Sequence, residues 1–104
     1  MTDGPRARLE LSSTPDGLVI ALGGELDLAS LPAVAAPLDD AFGRPEQPVV
    51  LDLADLTFLD SSGVALLVRI ANHFGQVRTR SATEPVRRVI EVLGLAERFG
   101  LDAA

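Results

Sequence analysis

VVLDLADLTFLDSSGVALLVRIANHF, residues 49–74, decides the fold. Val49, Val50, Leu51 and Leu53 form a short run rich in β-branched and aliphatic side chains, with Pro48 at its near end. That pattern predicts a buried strand over 49–53. Ala54 to Leu59 then reads as a connection. Asp60, Ser61, Ser62 and Gly63 mark the start of a helix, because Asp and Ser oxygens accept the backbone N–H groups that a helix start leaves unpaired. The spacing predicts a helix over 61–74. Gly63, Val64, Leu67, Ile70, Ala71 and Phe74 fall on one side of its wheel, and Ser62, Ala65, Arg69, Asn72 and His73 on the other. Ser61 also lies on the wet side, with Leu66 and Val68 at its margins. Two hydroxyls therefore stand in the open at the positive end of a helix, beside a carboxylate.

Working outward, Arg6 to Ser12 alternates apolar and polar residues and predicts a half-buried strand. Thr14-Pro15-Asp16-Gly17 is a turn, and Leu18 to Leu22 is the second arm of a hairpin. Gly23-Gly24-Glu25-Leu26-Asp27 ends that arm, and its paired glycines predict a tight bend or close packing. Ser30 is a candidate N-cap. Leu31, Val34, Leu38 and Phe42 fit an amphipathic helix that Gly43 closes, with Pro37 predicting a kink or two short helices. Residues 44–48 form a loop. Beyond Gly75, which closes the central helix, Val77 to Ala82 is a short or edge strand. Thr83 caps a last helix on which Val86, Val89, Ile90 and Leu93 share a face, and Gly94-Leu95 suits a Schellman end. Phe99 and Leu101 are the last apolar residues. The order hairpin, strand, helix, strand, helix predicts an α/β mixed sheet with helices over it.

The totals narrow the function. A chain of 104 residues with 47% hydrophobic and 23% charged residues has the composition of one globular domain. It has no Cys, which excludes disulfides, thiol catalysis and Cys-ligated metals. Its one histidine, His73, stands in no Ser–His–Asp spacing and makes no metal site alone. Net charge is −6, and an acidic chain is a poor nucleic-acid binder. Residues 1–60 hold 11 acids and 3 arginines (−8), whereas 61–104 hold 4 acids and 6 arginines (+2). Every cation is Arg, which base composition explains better than a binding role. MTDGPRARLE lacks the apolar core of a signal peptide, and no apolar run suits a membrane span, so the expectation is a cytoplasmic protein. Neither a G-x-S-x-G elbow nor a G-x-x-x-x-G-K-[ST] phosphate loop occurs, so no cofactor is expected and any ATP belongs to a partner.

Asp60-Ser61-Ser62-Gly63, between a strand and an apolar helix, resembles the STAS domain and, within it, the anti-sigma factor antagonists of bacteria. Gly24-Glu25-Leu26-Asp27 and Pro85-Val86-Arg87-Arg88-Val89-Ile90-Glu91-Val92-Leu93-Gly94-Leu95 look like two further blocks of that family, in its order. The likeness runs from about Leu9 to Phe99. It implies a single STAS domain over 1–104, a small mixed sheet wound in right-handed βα turns, and a binding module rather than an enzyme. It further implies an anti-sigma factor Ser/Thr kinase as partner, and a Ser/Thr phosphatase acting on the phosphorylated form. Neither nucleic acid nor membrane is an expected partner. In relatives with this tetrapeptide the first serine accepts phosphate, which is Ser61 here. Pro37 and the thinly apolar 77–82 depart from the family pattern.

The residues allow simpler readings. Ser61 and Ser62 satisfy backbone donors at a helix start, and periodicity does not choose between them, so Ser62 is the second candidate for phosphate. Asp60 is a cap, a group that orients the serine, or both. The expected partner face is Asp27, Asp60, Ser61, Ser62, Ala65, Arg69 and Asn72. Glu25 and Asp27 equally read as solvated acids at a strand end, and Asp52 and Asp55 as solvated strand-edge acids. Two other functions compete. One is a phosphorylation-independent STAS subunit of a signalling scaffold or a lipid-transport ATPase assembly. The other is a small serine hydrolase, which lacks a base and an oxyanion site.

Overall fold

The computed structural model describes residues 6–101. Alternation at the start of the chain becomes a hairpin of β1 (Ala7–Thr14) and β2 (Gly17–Leu26), paired antiparallel from Ala7 opposite Gly24 to Thr14 opposite Gly17. β3 (Val49–Leu59) lies parallel to β2, and β4 (Val77–Arg80) parallel to β3, so the sheet runs β1-β2-β3-β4. Among the described residues three α-helices accompany it: α1 (Ala35–Phe42), α2 (Ser61–Phe74) and α3 (Glu84–Val92). The expected α/β mixed sheet is the observed one.

One sheet face carries Ala7, Leu9, Leu18, Ile20, Leu22, Val49, Leu51, Leu53 and Val77, all buried in one core with Leu67, Ile70, Ala71 and Phe74 of α2. Each of the larger side chains, Val, Leu, Ile and Phe, contributes roughly 1.5–3 kcal/mol when it leaves water. On the other face Arg8, Glu10, Arg78 and Arg80 are exposed, and Val19, Ala21, Val50 and Asp52 are half-buried. The sheet is therefore amphipathic, with one face under the helices and one open.

Two strands are longer than their sequence patterns predict. β2 continues through Gly23 and Gly24 to Leu26, and β3 continues from Leu53 to Leu59 through the expected connection. The cause is irregular pairing. Register shifts fall between Ala21 and Gly23 and between Gly24 and Glu25, and each places one extra residue on β3. Apolar positions on β3 then recur every third residue, at Leu53, Leu56 and Leu59, and the period of two disappears. Gly24 adopts φ +85° at the second shift, and a Cβ there would strike the Arg6 carbonyl. A bend and a close approach both occur, as the paired glycines suggested.

Pro37 does split its helix. Leu31–Val34 forms a 3-10 turn, and α1 starts at Ala35. Pro37 thus sits in the first turn of α1, where its missing N–H breaks no bond. Ser30 is not a side-chain cap: its backbone is helical and its hydroxyl is used elsewhere. Thr83 holds the N-cap position of α3, but its hydroxyl donates to the Leu56 carbonyl at 2.8 Å, tying α3 to β3. Leu93 leaves the expected buried face and is 54% exposed, because α3 stops at Val92 and the helical phase ends with it. The Schellman end forms: Leu95 N–H bonds the Ile90 carbonyl and Gly94 N–H the Glu91 carbonyl, at 3.0 Å each, with Gly94 at φ +72°.

β4 is short and lies at the sheet edge, as its few apolar residues suggest. The tail protects that edge. Thr79 accepts no neighbouring strand of full length, but its N–H bonds the Gly100 carbonyl at 3.2 Å and its hydroxyl bonds the Phe99 carbonyl at 2.8 Å. Leu101 adds one parallel bridge to Thr79, and Phe99 is fully buried. A covered edge discourages pairing with other chains.

Candidate functional site

The start of α2 is clamped between the ends of β2 and β3. Asp60 is its N-cap, with extended backbone, and Oδ1 accepts the Gly63 N–H at 3.0 Å. Its Oδ2 accepts the Leu28 N–H at 3.3 Å, and its own N–H donates to the Leu26 carbonyl at 3.2 Å. Gly63 leaves no room for a side chain: a Cβ would meet the Leu26 carbonyl and, at 2.6 Å, Leu59 Cδ1. Asp60 is therefore the helix cap, and it fastens the helix start to the turn at 27–30.

That turn is fastened in its own right. Asp27 and Ser30 cap each other: Asp27 Oδ1 accepts the Ser30 N–H and Ser30 Oγ accepts the Asp27 N–H, both at 2.9 Å. Ser30 Oγ also donates to the Glu25 carbonyl at 2.6 Å, which accounts for this buried hydroxyl. Arg6 closes the group, 2.7 Å from Asp27 Oδ2 and 3.0 Å from Glu25 Oε1. Burial pushes the Asp27 carboxyl up, but hydrogen bonding by Ser30 and the charge of Arg6 outweigh it and hold the group below its ordinary range. Glu25 and Asp27 are thus ion-paired side chains rather than simply solvated ones.

Ser61 is exposed and Ser62 half-buried. They open on different surfaces. Ser61 and Asp60 line a groove of about 580 Å³ between α2 and α3, walled by Leu59, Val64, Val89 and Val92, with Arg88 at its rim. Ser62 lines a second groove of about 550 Å³ between α2 and α1, with Ala65, Leu66, Arg69 and Leu31. The expected partner face is therefore split. Ser62, Ala65 and Arg69 share the α1 side, and Asp60 and Ser61 share the α3 side. Leu66, expected at the margin of the wet face, is only 4% exposed and forms part of the α1-side wall. Asn72 stands further along α2, where its Oδ1 accepts a hydrogen bond from Arg98.

Other polar residues are accounted for structurally. The Arg69 guanidinium lies 4.9 Å from the Phe42 ring centroid. His73 packs edge-on against Phe42 and Phe74, with Nε2 3.1 Å from the Arg44 carbonyl. Asp52 pairs with Arg80 at 3.0 Å on the open sheet face. The Ala54 N–H, helped by Arg80, holds its carboxyl below the ordinary range against the upward pull of burial. Among the described residues, no three potential ligands gather around a metal position, and no helix is long and apolar enough to cross a membrane.

Sequence reading missed Leu28, which is 70% exposed beside Asp60, and Arg88. An apolar residue in an acidic turn was the signal for Leu28. Arg88 had none, because only the packing of α3 brings it to the groove that Ser61 lines.

A family model described as Mlab, STAS domain, matches residues 9–101. An anti-sigma F factor antagonist of Paenibacillus polymyxa is 29% identical over 85% of this chain and 80% of its own length. The crystal structure of an anti-sigma factor antagonist from Mycobacterium paratuberculosis superposes with a TM-score of 0.79 at 22% identity, covering 100% of this chain and 92% of the other. The Bacillus cell fate determinant SpoIIAA, solved in its phosphorylated form, superposes with a TM-score of 0.64 at 25% identity, covering 93% and 92%.

Proposed function

The chain belongs to the STAS domain family, and from that premise we propose that it is an anti-sigma factor antagonist switched by phosphate on Ser61. Unphosphorylated, it binds an anti-sigma factor Ser/Thr kinase, and the sigma factor held by that kinase is released. The kinase then transfers the γ-phosphoryl group of its ATP to Ser61 Oγ. The bond from that phosphorus to ADP breaks, the Ser61 hydroxyl loses its proton to the kinase base or solvent, and a phosphoester and ADP result. A Ser/Thr phosphatase hydrolyses the ester and restores the binding form. The chain itself acts as a binding module throughout, and 1–104 works as one STAS domain.

The observation that carries this reading is the placement of Ser61. It is an exposed hydroxyl on the first residue of a capped helix, between a fastened turn and an apolar groove. A phosphate there adds about −1.5 to −2 charges at neutral pH. The helix start tolerates that charge, worth ~0.3–1 kcal/mol at an exposed end, so the free protein stays folded. In a complex the same charge is desolvated beside Asp60 and collides with a fitted surface. The phosphorylated form of SpoIIAA, a relative in fold, lends support.

The second reading, a phosphorylation-independent STAS subunit of a scaffold or a lipid-transport ATPase assembly, draws on the family model, whose description names Mlab. Incubation with the cognate kinase and ATP, followed by peptide mass spectrometry, separates the two. Phosphate on Ser61 supports the switch. Phosphate on Ser62 alone overturns the residue, and binding without any transfer favours the second reading.

A further inference from the structure

Each of the two serines has an arginine in its groove, and the two arginines differ. Arg69, on the Ser62 side, lies over the Phe42 ring. Arg88, on the Ser61 side, is exposed and has neither an ion pair nor a hydrogen bond among the described residues. Among the described residues, Asp60 is the one acid lining that groove, and both of its oxygens already accept backbone N–H groups. The N–H of Gly63 is committed to Asp60, so a phosphate on Ser61 does not take over the helix cap. It meets a carboxylate on its own side of the groove and an unpaired guanidinium on the other.

We infer that Arg88 is the positioning residue for phosphorylated Ser61: its guanidinium pairs with the phosphate across the α2–α3 groove. The inference rests on the phosphorylation reading of Ser61. Guanidinium and phosphate match in geometry, two N–H donors against two oxygens, and the pair is charge-assisted. Its consequence is regulatory. In the unmodified protein Arg88 is available to an acidic group of a partner. In the phosphorylated protein it is withdrawn, so a single modification adds charge at Ser61 and removes an attractive cation from the same groove. The remaining wall, Leu59, Val64, Pro85, Val89, Val92 and Leu93, carries no charge to compete.

The test installs phosphoserine at position 61 by genetic encoding and follows its second ionisation by phosphorus NMR. That ionisation lies at about pH 6, and a paired cation lowers it. Arg88→Gln is expected to raise it by about half a unit at low salt, roughly threefold in proton affinity, with Arg88→Lys restoring much of the difference. Arg69→Gln is expected to titrate like the parent. Identical titrations for the parent and Arg88→Gln would overturn the inference, as would a shift produced by Arg69→Gln alone. Because the phosphate is installed rather than transferred, the titration reads the pairing alone, whereas a kinase that leaves Ser61 unmodified bears on the proposed switch.

Discussion

Two grooves flank the same helix, and they differ in the arginine that lines each. The α1-side groove has a settled arginine: Arg69 lies over Phe42, whose ring also packs against His73. The α3-side groove has Arg88, unpaired among the described residues, and the exposed aliphatics Val92 and Leu93. Neighbouring serines open on these two surfaces because a helix turns ~100° per residue. A repeated hydroxyl in sequence is therefore not a repeated site in space. Ser61 shares its groove with Arg88, and Ser62 shares its groove with an arginine that lies over Phe42.

Both grooves border α2, whose buried stripe packs in the core. Leu67 is fully buried there. Leu67→Ala is expected to cost roughly 2–5 kcal/mol, the range for emptying a well-packed leucine site, and to degrade both grooves together. A chemical denaturation midpoint equal to that of the parent would show that the stripe is misplaced.

Charge reversal separates the grooves. Arg69→Glu places a negative charge on the α1-side face while leaving stability within ~0.5 kcal/mol, as expected of a surface change. If the kinase covers this face, affinity falls roughly tenfold, about 1.4 kcal/mol. Parent-like affinity measured by calorimetry would confine the interface to the α3 side.

Removal of the clamp is a smaller perturbation. Asp60→Ala deletes the α2 cap and the bond to Leu28 N–H, an expected loss of about 1 kcal/mol by thermal unfolding. A loss of that size, with Ser61 still modified by the kinase, would make Asp60 a structural group. An unchanged melting temperature would contradict the capping role.

The smallest effect belongs to the open sheet face, remote from both grooves. The folded-state pKa of Asp52 is depressed. Its contribution is therefore present above the unfolded carboxyl pKa of about 4 and is lost as pH falls through the lower folded value. Asp52→Asn is expected to flatten the acid limb of stability by less than ~1 kcal/mol, because the Arg80 end of the pair is more than half exposed and screened by solvent. An acid limb as steep as the parent's would remove Asp52 from the account.

The elements were legible wherever local pattern and tertiary packing agree. The apolar stripe of α2, the hairpin, the split at Pro37 and the Schellman end at Gly94 all follow from spacing and turn chemistry. The second half of β3 did not, because two extra residues in its ladder change the apolar repeat from two to three. Ser30 and Thr83 misled as side-chain caps because each hydroxyl bonds a carbonyl brought near by folding, at Glu25 and Leu56. At the site, the exposed serine and the Asp60 cap were readable from four residues. Arg88 was not, since it lies 27 residues beyond Ser61 in the chain and reaches the groove only through the packing of α3.

Under the proposed switch, phosphate on Ser61 releases the partner by local charge and bulk, without unfolding the domain. Calorimetric titration of the purified cognate kinase with the unmodified chain and with the chain phosphorylated at Ser61 tests it most directly. A differential penalty of about 3 kcal/mol predicts more than ~100-fold weaker binding of the phosphorylated form, with its melting temperature close to that of the unmodified form. Equal affinities of the two forms would contradict the claim.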